Sequence, residues 1–404
     1  MLLSPGLHAE ESGLAIGSLV AKPSVSIDAV YDSNVFRTAQ EPEADFGLQL
    51  KPKFSIVYPG DNFRWELDAW YRFFNYFNLG GSSHDVLRTF TDFGLSTTLD
   101  ANRKGKLGFV FAPEFSNQRS ARGADTGDGD GSDLAHEFSV GTPIGFRIRP
   151  TQAFHVNVDG GWKWVRSYYP DQVFDTNPLI LGNSHDVGGS LGLDWRFFPR
   201  SHLLIDGGVG HVFQGEVDDG VVRHAPALES TYWRAWVGLR GDVTSKLSLM
   251  GQVGYGNIYF GEENSDENLS GVDGLLGRAE FALRPSLTQR IAFGFQRDFY
   301  FRYFANRIMD TQAYVKYKGL IGGRLALLAD FTYIYRVLKS DDSDSRSTSR
   351  WEHQWGAGIG AEIMIQEWMH VTVRYRFSAV NPSETSEGEY IDNRVNLGLV
   401  FGFR

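Results

Sequence analysis

Asp45-Phe46-Gly47-Leu48-Gln49-Leu50-Lys51-Pro52-Lys53-Phe54-Ser55-Ile56-Val57-Tyr58, the tetrapeptide Pro59-Gly60-Asp61-Asn62, and Phe63-Arg64-Trp65-Glu66-Leu67-Asp68-Ala69-Trp70-Tyr71-Arg72-Phe73 together decide the fold. Apolar residues fall at every second position of both arms, the period of a β-strand. The tetrapeptide between them has the composition of a tight turn. Each arm is roughly twice the length of an ordinary globular strand. A soluble sheet with Phe, Trp, Leu, Ile and Tyr along one face needs a covering layer, and this chain has no helical periodicity to supply one. A bilayer covers such a face, and a tilted membrane strand needs about 9–11 residues to cross it. The expected fold is all-β: a single transmembrane antiparallel up-and-down β-barrel.

The same template extends along the chain. Outward rows recur as Phe93, Leu95 and Leu99; Val187, Leu191, Leu193 and Trp195; Trp233, Ala235, Val237 and Leu239; and, last, Val395, Leu397, Leu399, Phe401 and Phe403. The count is about 18 strands. Lys106–Asn117 and Glu137–Ile148 each read as one strand. Short turns fall around Pro59, Asn102, Pro150, Pro199, Ser245, Pro285, Gly322 and Gln366. They alternate with longer connections that include 119–133, 170–184, 214–227, 299–306 and 338–350. Short periplasmic turns and longer external loops are the rhythm of an outer-membrane barrel. That rhythm places the protein in the outer membrane of a Gram-negative bacterium. Residues 24–404 form the expected barrel. Residues 1–23 read as a signal-peptide remnant and periplasmic tail, with Leu7-His8-Ala9 before Glu10 as the small-residue cut, or the start is simply a short disordered tail.

Composition agrees with this reading. The 404 residues include 30 Phe, 17 Tyr, 10 Trp, 46 Gly and no Cys. No apolar run reaches the 18 residues of a helical span. Without cysteine there is no disulfide framework and no thiolate metal site. A formal net charge of −10 argues against nucleic acid as a partner.

Alternation also assigns the inward row. Its expected channel-lining members are Lys51, Lys53, Arg64, Glu66, Asp68, Arg72, Arg234, Arg240, Arg278, Glu280, Arg284, Arg374, Arg376 and Arg394. Basic side chains dominate this set, opposite to the chain as a whole. A wall of this kind selects anions, or its charges pair with one another across the strands. The inward aromatics Trp70, Trp236 and Tyr314 are candidates for stacking on sugar rings, or equally for packing where a loop folds in.

Other motifs carry less. Gly188-Gly189-Ser190-Leu191-Gly192 fits the G-x-S-x-G pattern, but it continues as strand where a nucleophile elbow needs a helix. Asp125–Asp133 has the oxygen density of a calcium loop without the closing Glu. No catalytic residue, metal site or cofactor is expected.

The opening segment Val25-Ser26-Ile27-Asp28-Ala29-Val30-Tyr31-Asp32-Ser33-Asn34-Val35-Phe36-Arg37, with Asp45-Phe46-Gly47-Leu48-Gln49-Leu50-Lys51-Pro52, resembles the start of the BBP2-type β-barrel porin family. The match covers roughly the first 60 residues. Some members accompany exopolysaccharide synthesis systems, so the resemblance implies an outer-membrane channel exporting a secreted polysaccharide, with a periplasmic polysaccharide-export protein as partner. The alternative is a diffusion porin for small anionic or sugar solutes. Phe401-Gly402-Phe403-Arg404 is similar to the C-terminal signal read by the barrel-assembly machinery, with Arg404 added after the usual terminal aromatic. Outer-membrane lipid and lipopolysaccharide complete the expected partners.

Overall fold

A computed structural model describes residues 13–35, 42–77, 89–120, 135–174, 177–214, 229–260, 272–302, 305–340, 348–383 and 389–403. The chain opens with β1 (Leu14–Ile16), β2 (Leu19–Asp32), β3 (Asp45–Pro59), β4 (Phe63–Tyr76) and β5 (Thr89–Ala101). Four short strands follow: β6 (Leu107–Phe111), β7 (Glu114–Ser120), β8 (Ala135–Gly141) and β9 (Ile144–Ile148). Next come β10 (Phe154–Phe174), β11 (Asn177–Phe198), β12 (Ser201–Gln214), β13 (Ser230–Asp242), β14 (Leu247–Phe260) and β15 (Val272–Leu283). The last are β16 (Gln289–Arg302), β17 (Ala305–Ile321), β18 (Leu325–Ser340), β19 (Thr348–Gln366), β20 (Met369–Pro382) and β21 (Tyr390–Gly402).

Successive strands pair antiparallel. The sheet closes where β2 meets β21, in register from Ser24 opposite Gly402 to Asp32 opposite Arg394. Closure removes the free edges of the wall, as a membrane requires. β6 with β7, and β8 with β9, are single staves interrupted at Pro113 and Pro143, and β1 is a short fold-back on the start of β2. The wall therefore has the expected 18 staves.

Three expectations need correction. Lys106–Asn117 and Glu137–Ile148 are not continuous strands. Pro113 gives its carbonyl to the Thr97 N–H at 3.0 Å, and Pro143 gives its own to the Ala112 N–H at 3.0 Å, but neither has an N–H to return. The register is nevertheless the same on both sides of the breaks. Second, 170–184 and 299–306 are not long loops. β10 and β11 run on past the wall as a ladder to Phe174 opposite Asn177, with bulges after Ser167 and Tyr169; β16 and β17 approach within two residues of each other in the chain. Third, β2 starts at Leu19 rather than at Ser24.

The quoted hairpin behaves as its alternation predicts. Phe46, Leu48, Leu50 and Phe54 are exposed on the outside, whereas Ser55, Val57 and Phe74 on the other face are buried. Outward aromatics gather towards both ends of the wall. Phe93, Phe115, Phe138 and Trp164 form a chain of ring contacts 4.9–5.6 Å apart towards the loop end. Tyr58 with Phe63, and Trp195 with Phe197, lie at the turn end, 5.8 and 6.0 Å apart. Two aromatic girdles around an aliphatic belt match the interfaces of a bilayer. At the turn end Asn102, Gly322 and Gly323 take positive φ, which lets the strands reverse within a few residues.

Candidate solute channel

An 18-stave wall encloses a channel rather than a packed core, and the inward rows of the strands line it. The closing seam gathers six of the predicted residues into one recess. Lys51, Lys53, Glu66, Asp68, Arg374 and Arg394 surround a volume of about 620 Å³ with Lys22, Asp28 and Gln49. A second recess of about 370 Å³ adjoins it towards the loop end, lined by Arg376, Asp330, Gln354 and Asp392, and Arg394 borders both. Arg374 and Arg376 stand opposite Gly360 and Gly358 of β19, so no side chain on that stave crowds them.

Many of the inward charges pair across strands. Lys53 meets Asp68 at 2.8 Å, and Asp68 also accepts a 2.5 Å bond from Ser55. Within β4 Arg64 meets Glu66 at 3.2 Å; across strands Arg240 meets Asp194 at 2.7 Å and Arg234 meets Asp298 at 3.4 Å. Arg72 bonds the fully buried Asp92. Glu280 accepts from Arg290 and from the Tyr314 hydroxyl, both at 2.7 Å. Among the described residues, Lys51, Arg278, Arg284, Arg374 and Arg376 have no carboxylate within 4 Å. The row thus holds both paired basic side chains and ones with no carboxylate partner among the described residues.

At the seam the arrangement goes further, because like charges face each other. Arg376 of β20 lies directly opposite Arg394 of β21. The β3–β4 register, with Leu50 opposite Phe73 and Lys53 opposite Trp70, sets Lys51 opposite Arg72. Like charges directly across a ladder destabilise a sheet. Hydration in a wide lumen reduces that cost, and an anionic solute removes it.

Trp236 is buried, whereas Trp70 and Tyr314 are half-buried and Trp70 borders a recess of about 380 Å³. Trp70, Trp236 and Tyr314 each lie against a glycine of the adjacent stave, Gly94, Gly254 and Gly294 respectively, where any side chain would collide with the ring. Each also carries a cation: Lys51 is 5.3 Å from the Trp70 centroid, Arg278 4.2 Å from Trp236 and Lys316 4.6 Å from Tyr314. Trp236 is in addition packed among Ile258, Leu276 and Phe299 on the lumen side. These rings hold basic side chains in place by cation–π attraction.

Sequence reasoning missed a set at the loop end of the seam. Asp32, fully buried, accepts bonds from Arg394 Nε at 2.9 Å, the Tyr76 hydroxyl at 3.1 Å and the Asn34 N–H at 3.1 Å. The Asn34 side chain donates to the Ile391 carbonyl at 3.3 Å, and Ser33 and Asn393 exchange bonds. Val35 packs on Val30, Phe74, Tyr76 and Phe90 inside the wall. The Tyr31-Asp32-Ser33-Asn34-Val35 segment is therefore a latch between first and last staves. The one available signal was the Asp-x-Asn pattern, whose partners lie at the far end of the chain. The Asp125–Asp133 stretch lies outside the described residues.

No protein-family model matches the chain, and no curated protein matches it. Solved structures do. The chain covers 95% of itself and 99% of OpdK of Pseudomonas aeruginosa, crystallised with vanillate, at 12% identity and a TM-score of 0.50. OccK2 (OpdF) of the same organism, in complex with glucuronate, gives 12% identity and 0.50 over 95% and 98%. The FrpB iron transporter of Neisseria meningitidis gives 9% and 0.51 over 95% and 81%. At such identities the likeness is one of fold: the chain is a closed antiparallel β-barrel of the kind found in the bacterial outer membrane.

Proposed function

We propose that this barrel is a diffusion channel of the outer membrane for small anionic solutes, carboxylates above all. The observation that carries this reading is the trio Lys51, Arg374 and Arg376 beside the seam recess, with no carboxylate within 4 Å among the described residues, reinforced by two like-charge pairs across the ladder. Guanidinium and ammonium groups without a carboxylate partner offer charge-assisted hydrogen bonds to a carboxylate. Vanillate and glucuronate, the ligands of two structures with this fold, are both carboxylates. Export of a secreted polysaccharide rests on the resemblance of the first 60 residues alone.

The test is the reversal potential of the purified barrel in a planar bilayer under a salt gradient. Wild type should be anion-selective, and Arg374→Glu with Arg376→Glu should lower the anion-to-cation permeability ratio by roughly fivefold per charge contact, about 1 kcal/mol each in water. Cation selectivity in the wild type, or a ratio unmoved by the reversals, would sink the proposal.

A further inference from the structure

We propose that the outer wall carries a binding site for a glycerophospholipid of the periplasmic leaflet, separate from the solute path. The lipid-facing surface carries rows of large side chains broken by patches of small residues, one of them at Gly160, Gly189 and Gly207 of β10, β11 and β12. Across β13, β14 and β15 near the turn end it is interrupted by Gly241, Gly251 and Ala279, which lie on neighbouring staves. The result is a bowl of about 660 Å³ rimmed by Leu249, Phe281 and Phe295. A β-carbon at Gly251 would meet nothing within 4 Å, so the opening is not filled by a neighbour.

The occupant follows from the surroundings. The bowl is continuous with the apolar belt that the bilayer covers, so its natural filling is hydrocarbon, and lipid chains enter shapes that protein side chains leave. Its lower edge adds a second feature. Arg200, in the turn before β12, and Lys246, in the turn before β14, stand exposed beneath it, and among the described residues neither has an acidic partner. Backbone bonds tie both turns to the strands of the bowl, from the Asp242 N–H to the Arg200 carbonyl at 3.0 Å and from the Arg284 N–H to the Lys246 carbonyl at 2.7 Å. Short turns of such barrels face the periplasm. An acyl chain seated on Gly251 and Ala279 then brings a phosphodiester to the level of two unpaired cations.

Native mass spectrometry of the whole barrel, released from detergent with added phosphatidylglycerol, tests this. Wild type should retain one lipid through detergent exchange. Gly251→Phe should abolish that retention, with Ala279→Leu as a second filling variant if the first does not fold. Folding is checked by heat-modifiable gel migration. Arg200→Ala with Lys246→Ala should weaken binding by roughly tenfold, the scale of two exposed charge contacts. Unchanged lipid retention in a folded filling variant overturns the proposal. So does a wild-type dimer or trimer mass that the filling variant reduces to monomer, since a second copy would then be the occupant.

Discussion

The basic side chains of the lumen fall into two kinds, and the difference lies in what sits beside each. Arg394 is bound to a carboxylate with no exposure to solvent, whereas Arg376, directly across the ladder from it, has no acidic partner among the described residues. Removing a charge therefore has opposite consequences at neighbouring positions. Asp32→Asn removes the buried carboxylate that Arg394 is bonded to and should cost about 2–3 kcal/mol, the range of a hydrogen bond to a charged group. The expected readout is a lower midpoint for loss of the heat-modifiable band. Tyr76→Phe, which deletes only the 3.1 Å bond to Asp32, should cost about 1 kcal/mol in the same assay. Arg376→Gln should leave that midpoint unchanged or raise it, because it relieves a like-charge pair. Alternation puts Arg376 and Arg394 on one face, whereas Asp32 reads in the sequence as the start of a loop. The partner of Arg394 was not readable, because Asp32 and Arg394 lie 362 positions apart and nothing local marks either as a member of a pair.

Strand length and period were plain in single elements such as β3 and β4, but the interruptions were not. Pro113 and Pro143 sit inside otherwise regular alternation, and only the pairing of their two staves reveals that the breaks lie side by side. Each proline omits one ladder bond. Replacing both by Ala should restore two, worth about 1 kcal/mol apiece, and raise resistance to urea. An unaltered midpoint would mean that other features hold the two staves apart there. The hairpin of β10 and β11 was hidden for a different reason. Its Pro170-Asp171 and Asn177-Pro178 have the composition of loops, and a ladder that admits bulges accommodates them. The rows beyond the wall are longer than a membrane needs, since these strands have 21 and 22 residues against the 13–14 of β4 and β5.

For the molecule as a whole, two surfaces are set by one alternation, and they answer to different media. Outward residues satisfy hydrocarbon, and inward residues satisfy water and solute. Closure is the step that separates them. In an open sheet β2 and β21 each present unpaired backbone groups along their facing edges, and the Asp32 and Arg394 charges face one another only across the gap. Lipid tolerates neither. The first and last staves must therefore meet before the wall is at rest in the bilayer, and every intermediate that lacks β21 also lacks the partner of Asp32. A chain truncated before Tyr390 should give no heat-modifiable species. The latch thus serves as a proof of completeness, because its two halves are contributed by opposite ends of the polypeptide. Only a molecule that has been made to its last strand, and joined in the correct register, can neutralise it.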